Sequence, residues 1–392
     1  MNILLMRWNG LGHEDITEAF EKLGHNVTLH PFSDKELHKD EKIETGIKEA
    51  AVKCNADIIF SFNYFPIIAK VCHDNDIPYF SWVYDSPAVL LYHFSLVYPT
   101  NHVFLFDYEE YAGFKRNGIN TVYYMPLCAN PRRLEKLLCD SSMRKDFERS
   151  VSYNKTDIAF VGSLYTEKHR FYERMTDITP YTRGYLEGIM EAQKHVYGIN
   201  FIKELLTDDI MNDMSKNLPL KPDPEGVETR EYLFSEYVIN RELTAIERKE
   251  YLTAIGERHK FDLYTPDAKL ALNGAINHGP VDYLETAPFV YEMAKINLNI
   301  SLRSIHSGVP LRCFEIMGSG GLLLSNYQSG FADCFNEGEE FIAFESKDDM
   351  LIKIDYLLTH EDERKEIAEN GYKRIVKDHT YDARIKEMLS LL

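Results

Sequence analysis

Apolar residues in this chain come in short unbroken runs. A glycine or polar break follows each run, and then apolar positions recur at helical spacing. Residues 2–6 form the first run, and Asn9-Gly10-Leu11-Gly12 breaks it. Ile16, Ala19, Phe20 and Leu23 then recur every three or four residues up to Gly24, and 26–29 begins a second strand. This β-loop-α-β opening predicts a parallel sheet. Further strands are predicted at 57–62, 77–83, 102–106 and 121–125, with helices at 66–73 and 109–117 between them. Strands that are apolar almost throughout are covered on both faces, as in a doubly wound α/β domain.

The pattern restarts at 157–165 (DIAFVGSLY): a strand, a Gly-Ser turn and a helix expected from about Glu167. The polar stretch 141–154 is the expected linker. Residues 170–259 are Tyr- and charge-rich and read as a helical insertion, broken by the loop 218–226. Strands return at 260–264, 296–302, 320–325 and 340–344, with a helix at 310–317. Ser346-x-x-Asp349 resembles a capping box ahead of a further helix. The expected architecture is α/β, with two Rossmann-like doubly wound domains facing a cleft. The domains are 1–150 and 155–379, the insertion 170–259 lies inside the second, and the helix 380–392 packs back on the first.

The bulk numbers narrow the functional classes. Lys plus Arg is 44 against 62 Asp plus Glu, a net charge of −18 over 392 residues. Such a chain is repelled by a phosphate backbone or an anionic bilayer, so nucleic acid and membrane are not expected partners. Cys54, Cys72, Cys128, Cys139, Cys313 and Cys334 are scattered without a CxxC pair, which argues against a zinc site and for reduced thiols. No basic leader and no run of about 20 apolar residues is present, so a cytoplasmic location is expected. There is also no GxSxG, GxxxxGK[ST] or HExxH, and no metal site is expected.

Ligands of open α/β sheets sit at the carboxyl ends of strands, so the polar residues there are the candidates. Arg312 and Glu315 lie on a helix that begins near Pro310. Its free N–H groups favour an anion, to which Arg312 adds a bidentate donor. Glu315, one turn on, can accept from ribose hydroxyls. Gly162 and Ser163 form a second phosphate-binding turn, with Lys168, His169 and Arg170 nearby, of which Arg170 is preferred for neutralising a leaving diphosphate. Gly12 closes the first loop, which is no dinucleotide fingerprint because Asp15 stands where the third glycine belongs. Asp85 and Asp107 end strands, and Asp85 is the preferred general base, with a turn carboxylate as its plainer reading.

The run GVPLRCFEIMGSGGLLLSN resembles the donor-binding region of GT-B glycosyltransferases of the group 1 type. More narrowly, 294–384 resembles the CgeB-like spore-maturation glycosyltransferases of bacteria. The resemblance is carried by KINLNI, Gly308-Val309-Pro310-Leu311-Arg312, Phe314-Glu315, Gly318-Ser319-Gly320-Gly321 and HTYDAR at 379–384. WVYDSP, FLFDYEEY and MPLCANP are similar to the domain that precedes it in that family. The resemblance implies a nucleotide diphosphate sugar, UDP-sugar by preference, as donor rather than any cofactor. It implies a hydroxyl of a protein, glycan or small molecule as acceptor.

Glu315 matches the second Glu of the family's paired-Glu motif. The first falls at Ser307, with His306 beside it, a departure that leaves the stereochemical outcome open. His306 joins Asp85 as a catalytic candidate. Ser307 and Gly279, in the turn His278-Gly279-Pro280-Val281-Asp282 that resembles a base-pocket wall, join the donor-binding set. The insertion is a possible homo-oligomer contact. A nucleotide-sugar epimerase and a non-catalytic nucleotide-sugar-binding scaffold are the alternative functions.

Overall fold

The computed structural model describes residues 1–33, 40–150, 156–167 and 170–392. The expected candidates Lys168 and His169 lie outside the described residues. The chain divides into two compact units. The first comprises 1–127, 222–229 and 381–392, and the second 128–221 and 230–380.

The first unit is built on a parallel sheet of six strands: β1 (Asn2–Arg7), β2 (Asn26–Pro31), β3 (Ile58–Phe62), β4 (Tyr79–Val83), β5 (Asn101–Leu105) and β6 (Val122–Tyr124). Their order is β2-β1-β3-β4-β5-β6, so the winding reverses between β1 and β3. Every residue of β3 and β4 is buried, as the unbroken apolar runs require. Leu4, Ile59, Tyr79 and Val103 from the sheet join Ile47, Ile67 and Ile68 from its helices in one core. The terminal helix Tyr381–Leu389 belongs to this unit, with Arg384 Nε donating to Pro126 O at 2.8 Å and Lys22 paired to Asp382 at 2.8 Å. The segment 222–229 also belongs here, with the Val227 amide donating to Tyr92 O at 2.8 Å.

The second unit repeats the plan with β7 (Ile158–Val161), β8 (Phe261–Tyr264), β9 (Ala275–Asn277), β10 (Ile296–Asn299), β11 (Leu323–Asn326) and β12 (Ile342–Phe344). The order β12-β11-β10-β7-β8-β9 is the Rossmann winding, with its reversal between β7 and β10. Helices Pro180–Lys194, Ile202–Leu205, Asp208–Met214, Arg230–Phe234 and Asn240–Gly256 fill the segment read as an insertion. They carry an apolar core of their own around Leu186, Met211, Phe234 and Leu243. Among the described residues no helix is long and apolar enough to cross a membrane.

Several expectations are corrected. The stretch 141–154, read as linker, holds the helix Ser141–Ser150, after which 151–154 lie outside the described residues. Glu167 itself, where a helix was expected to open, is not helical. Its carboxylate instead turns back onto the Ser163 hydroxyl, at 2.8 and 3.0 Å, and onto the Leu164 amide at 3.3 Å. The short strand β9 was not anticipated. The capping box holds: Ser346 Oγ accepts from the Asp349 amide at 3.1 Å at the start of the Lys347–Thr359 helix.

Candidate functional site

In the second unit the winding reverses between β7 and β10, which opens a crevice at their carboxyl ends. Gly162 follows β7 and the loop 300–310 follows β10. Arginines gather here. Arg312, in the first turn of the Leu311–Gly318 helix, donates from Nη1 to Asn299 Oδ1 at 2.9 Å. Its other Nη lies 3.1 Å from where a Cβ on Gly162 would sit, so the glycine gives the guanidinium room to lie close to the turn. The helix N-cap, Pro310, offers no side-chain cap; the Cys313 amide donates to Pro310 O at 2.9 Å, and the Leu311 and Arg312 amides ahead of it open the helix.

Two more arginines come from the Asn240–Gly256 helix, where Arg241 and Arg248 are seven residues apart and so share a face. Arg248 is buried. Its Nε donates to Ile300 O at 3.0 Å, its Nη2 also reaches Ile300 O, and its Nη1 bonds Ser163 O. It thereby ties the chain after β10 to the chain after β7. Burial pushes its guanidinium down to about 10, so it still carries its charge at neutral pH. Arg241 and Arg248 lie over the Tyr165 ring, at 4.7 and 4.9 Å from its centroid. The Arg241 Nε is buried with no hydrogen-bond partner among the described residues. A buried donor with no partner among the described residues, close to further guanidiniums, is chemistry suited to an anion.

The other predicted residues of this unit divide. Ser163 lies at the crevice, but its hydroxyl donates to Glu167 and accepts from the Tyr165 amide at 2.7 Å. Glu315 is buried and receives both contacts of Arg133 Nη2 at 3.0 Å, so its charge is matched by a residue the sequence reading did not select. Ser307 is buried in the loop after β10, its carbonyl accepting from the Gly330 amide at 2.9 Å. His306 stands beside it, with Nε2 3.4 Å from Glu236 Oε2. Gly279 takes a positive φ of 77° after β9, and its amide donates to Asn277 Oδ1 at 2.9 Å. His278 next to it bonds Asp262 at 2.7 Å and stacks on Tyr264 at 4.6 Å. Arg170 is half exposed and pairs with Glu173, and among the described residues no contact joins it to Arg312.

In the first unit the reversal between β1 and β3 makes a second crevice. The Trp8 indole spans it, donating to Phe62 O at 3.0 Å. Gly12 has a φ of 87°, and a Cβ there would meet the Phe62 ring at 2.9 Å and the Tyr381 hydroxyl at 3.1 Å. Asp85 is exposed at the end of the β4 run, and Asn63 Nδ2 donates to it at 2.7 Å. Asn63, with a φ of 59°, also accepts the Tyr84 and Asp85 amides, at 2.9 and 3.2 Å. Partial desolvation raises the Asp85 carboxyl above the ordinary value, and the Asn63 bond offsets some of that rise. The Tyr84 hydroxyl meets that of Tyr381 at 3.2 Å, so Tyr381 touches the surroundings of both Gly12 and Asp85. Asp107 instead caps the Tyr108–Arg116 helix, accepting from the Glu109 amide at 3.0 Å.

Residues 243–390 match the family model described as glycosyl transferase-like (Glyco_trans_1_2). No curated protein matches the chain. Among solved structures, a glycosyltransferase from Rickettsia africae superposes with a TM-score of 0.55 at 12% identity, over 100% of this chain and 97% of that one. Anabaena HepE in complex with UDP-glucose superposes with a TM-score of 0.55 at 12% identity, over 100% of both chains. A trehalose-6-phosphate synthase does so at 0.53 and 10%, over 100% and 99%. At these identities the likeness is one of fold. The chain has the GT-B fold, with two Rossmann-like units, and its C-terminal part carries the sequence signature of a glycosyl transferase-like family.

Proposed function

We propose that this protein is a glycosyltransferase of the CgeB-like kind. It moves a sugar from a nucleoside diphosphate sugar, a UDP-sugar by preference, to a hydroxyl of a protein, glycan or small-molecule acceptor. The observation that carries the reading is the cluster of Arg312, Arg248 and Arg241 at the β7/β10 reversal, with Arg241 Nε unpaired. In a chain of net charge −18, guanidiniums gathered at one crevice mark a site for a compact anion. The HepE structure, which shares the fold, holds UDP-glucose.

The chemistry follows from these groups. The acceptor oxygen bonds the anomeric carbon while the bond from that carbon to the diphosphate oxygen breaks. The acceptor proton passes to Asp85, whose raised carboxyl is a better base than an ordinary aspartate. The electron pair leaves with the diphosphate, whose growing charge meets Arg312 and the first amides of the Leu311–Gly318 helix. Fixed guanidiniums supply here the charge neutralisation that a metal ion supplies in other transferases. Glu315, held by Arg133, accepts from the ribose hydroxyls, and the turn at Gly279 borders the nucleobase. Gly12 gives room at the first crevice.

A thermal-shift series with UDP, GDP, dTDP, CMP and their sugars, with and without added metal, tests the reading. A ligand at a hundred times its Kd adds about 2.7 kcal/mol of stability. The expected result is a metal-independent rise with UDP and UDP-sugars that Arg312→Ala abolishes. No rise with any nucleotide from folded protein overturns the reading in favour of a non-catalytic scaffold.

A further inference from the structure

The turn after β7 places a bulky side chain where the backbone favours glycine. Residues 162–165 read Gly-Ser-Leu-Tyr. Leu164 is buried in the core of the second unit, in one cluster with Phe160 and Leu298, and anchors the turn. Tyr165 then takes a φ of 58°, in the left-handed region. A bulky residue is an outlier there, and glycine would make the same turn without strain. The Tyr165 amide donates to Ser163 Oγ at 2.7 Å, a bond that a glycine amide makes equally well. Strain of this kind concentrates at ligand sites, where it is offset by what the aimed side chain does. The ring, not the backbone, therefore accounts for a tyrosine at this position.

That ring gathers two like charges. Arg241 and Arg248 stand seven residues apart on the Asn240–Gly256 helix, so their Cα atoms are separated by about 10 Å along its axis. Their guanidiniums nevertheless lie 4.7 and 4.9 Å from the centroid of the one Tyr165 ring. Each is drawn to the π electrons of the ring, which offsets the repulsion between them. The two arginines are otherwise unlike. Arg248 is buried, and each of its side-chain nitrogens already bonds a main-chain oxygen, of Ile300 or Ser163. It is a strut between two loops. Arg241 is partly exposed, and among the described residues its guanidinium makes no hydrogen bond and no ion pair.

One short turn thus serves both of the arginines that are not spent on main-chain oxygens. At its start Gly162 has no side chain, which leaves room for Arg312. At its end Tyr165 supplies a ring, over which Arg241 lies. Without that ring an arginine on a helix surface moves among several rotamers, and the charge of Arg248 pushes it away. We propose that Tyr165 is a positioning residue for Arg241. Its ring holds the Arg241 guanidinium at the β7/β10 crevice, where it donates to the diphosphate of a bound donor, while Arg248 lends charge and rigidity without touching the ligand. The proposal rests on the nucleotide-sugar reading above.

Isothermal titration of UDP and of uridine into the wild-type protein, Tyr165→Phe, Tyr165→Asn, Arg241→Gln and the double variant of the last two tests this. Phenylalanine keeps the ring; asparagine accepts the left-handed backbone and has no ring. Uridine affinity is expected to stay the same throughout. UDP affinity falls at least about tenfold in Arg241→Gln, the lower end of what a hydrogen bond to a charged group contributes. It falls by a similar factor in Tyr165→Asn, no further in the double variant, and not at all in Tyr165→Phe. UDP affinity unchanged in Tyr165→Asn overturns the proposal, and so does an equal loss in Tyr165→Phe, since the ring is then not the agent. Parallel losses for UDP and uridine with a lowered Tm overturn it by making Tyr165 merely structural. Additive losses in the double variant overturn it too, because they uncouple the pair. UDP no tighter than uridine in the wild-type protein overturns the nucleotide-sugar reading itself. A preference for UDP that Arg312→Ala erases and Tyr165→Asn keeps leaves that reading standing and overturns this proposal alone.

Discussion

The two units are both doubly wound parallel sheets, and they differ in what closes the crevice at the reversal. Between β1 and β3 the span is made by a neutral indole, Trp8 to Phe62 O, with Phe62, Tyr84 and Tyr381 rings around it. Between β7 and β10 the span is a buried guanidinium, Arg248 to Ser163 O and Ile300 O, with two further arginines beside it. The backbone plan fixes where a ligand can approach; the bridging side chain decides which ligand is welcome. An aromatic crevice with one perturbed carboxylate suits a neutral hydroxyl compound. A guanidinium-lined crevice suits a diphosphate.

That contrast can be broken most forcefully at Asp85. Asp85→Asn is expected to lower the transfer rate about 10²–10⁴-fold, the usual worth of a general base, with UDP affinity unchanged by titration. Because desolvation raises the Asp85 carboxyl, the base form is lost on acidification at a higher pH than for an ordinary aspartate. Wild-type activity should therefore fall on an acidic limb displaced upward from the usual carboxylate range, and Asp85→Asn should lack that limb.

Arg248→Leu comes next. It leaves Ser163 O and Ile300 O without their buried donor and is expected to cost about 3 kcal/mol in urea denaturation. Arg312→Ala, at a less buried position, should weaken UDP binding by about 2–3 kcal/mol with little change in Tm. The smallest effect belongs to the neutral span: Trp8→Phe removes one indole hydrogen bond and should cost about 1 kcal/mol. If Trp8→Phe proves as costly as Arg248→Leu, the distinction drawn between the crevices is wrong.

Much of this was legible from the chain. The apolar runs at 57–62 and 77–83 gave β3 and β4 because full burial on both faces leaves no room for alternation. Gly162 and Asp85 stood out because they closely follow strands, where the winding rule puts ligands, and Arg312 because it lies in the first turn of a helix that begins near Pro310. Arg241 and Arg248 were missed for a physical reason. They belong to a helix some 80 residues downstream of the turn they surround, and their only local signal was a seven-residue spacing on one face. Asn63 gave no signal beyond its place after an apolar run, since its left-handed conformation shows only in the backbone. At Glu167 the carboxylate bonds back to Ser163 and to the Leu164 amide, a local contact that periodicity does not register.

The central claim is that the β7/β10 crevice recognises a diphosphate. It is tested most directly by titrating UDP and uridine into the same preparation. The account predicts that UDP binds at least about a hundredfold tighter than uridine, a difference of about 2.8 kcal/mol, and that Arg312→Ala erases most of the gap. Equal affinities for UDP and uridine, or a gap that survives Arg312→Ala intact, would contradict it.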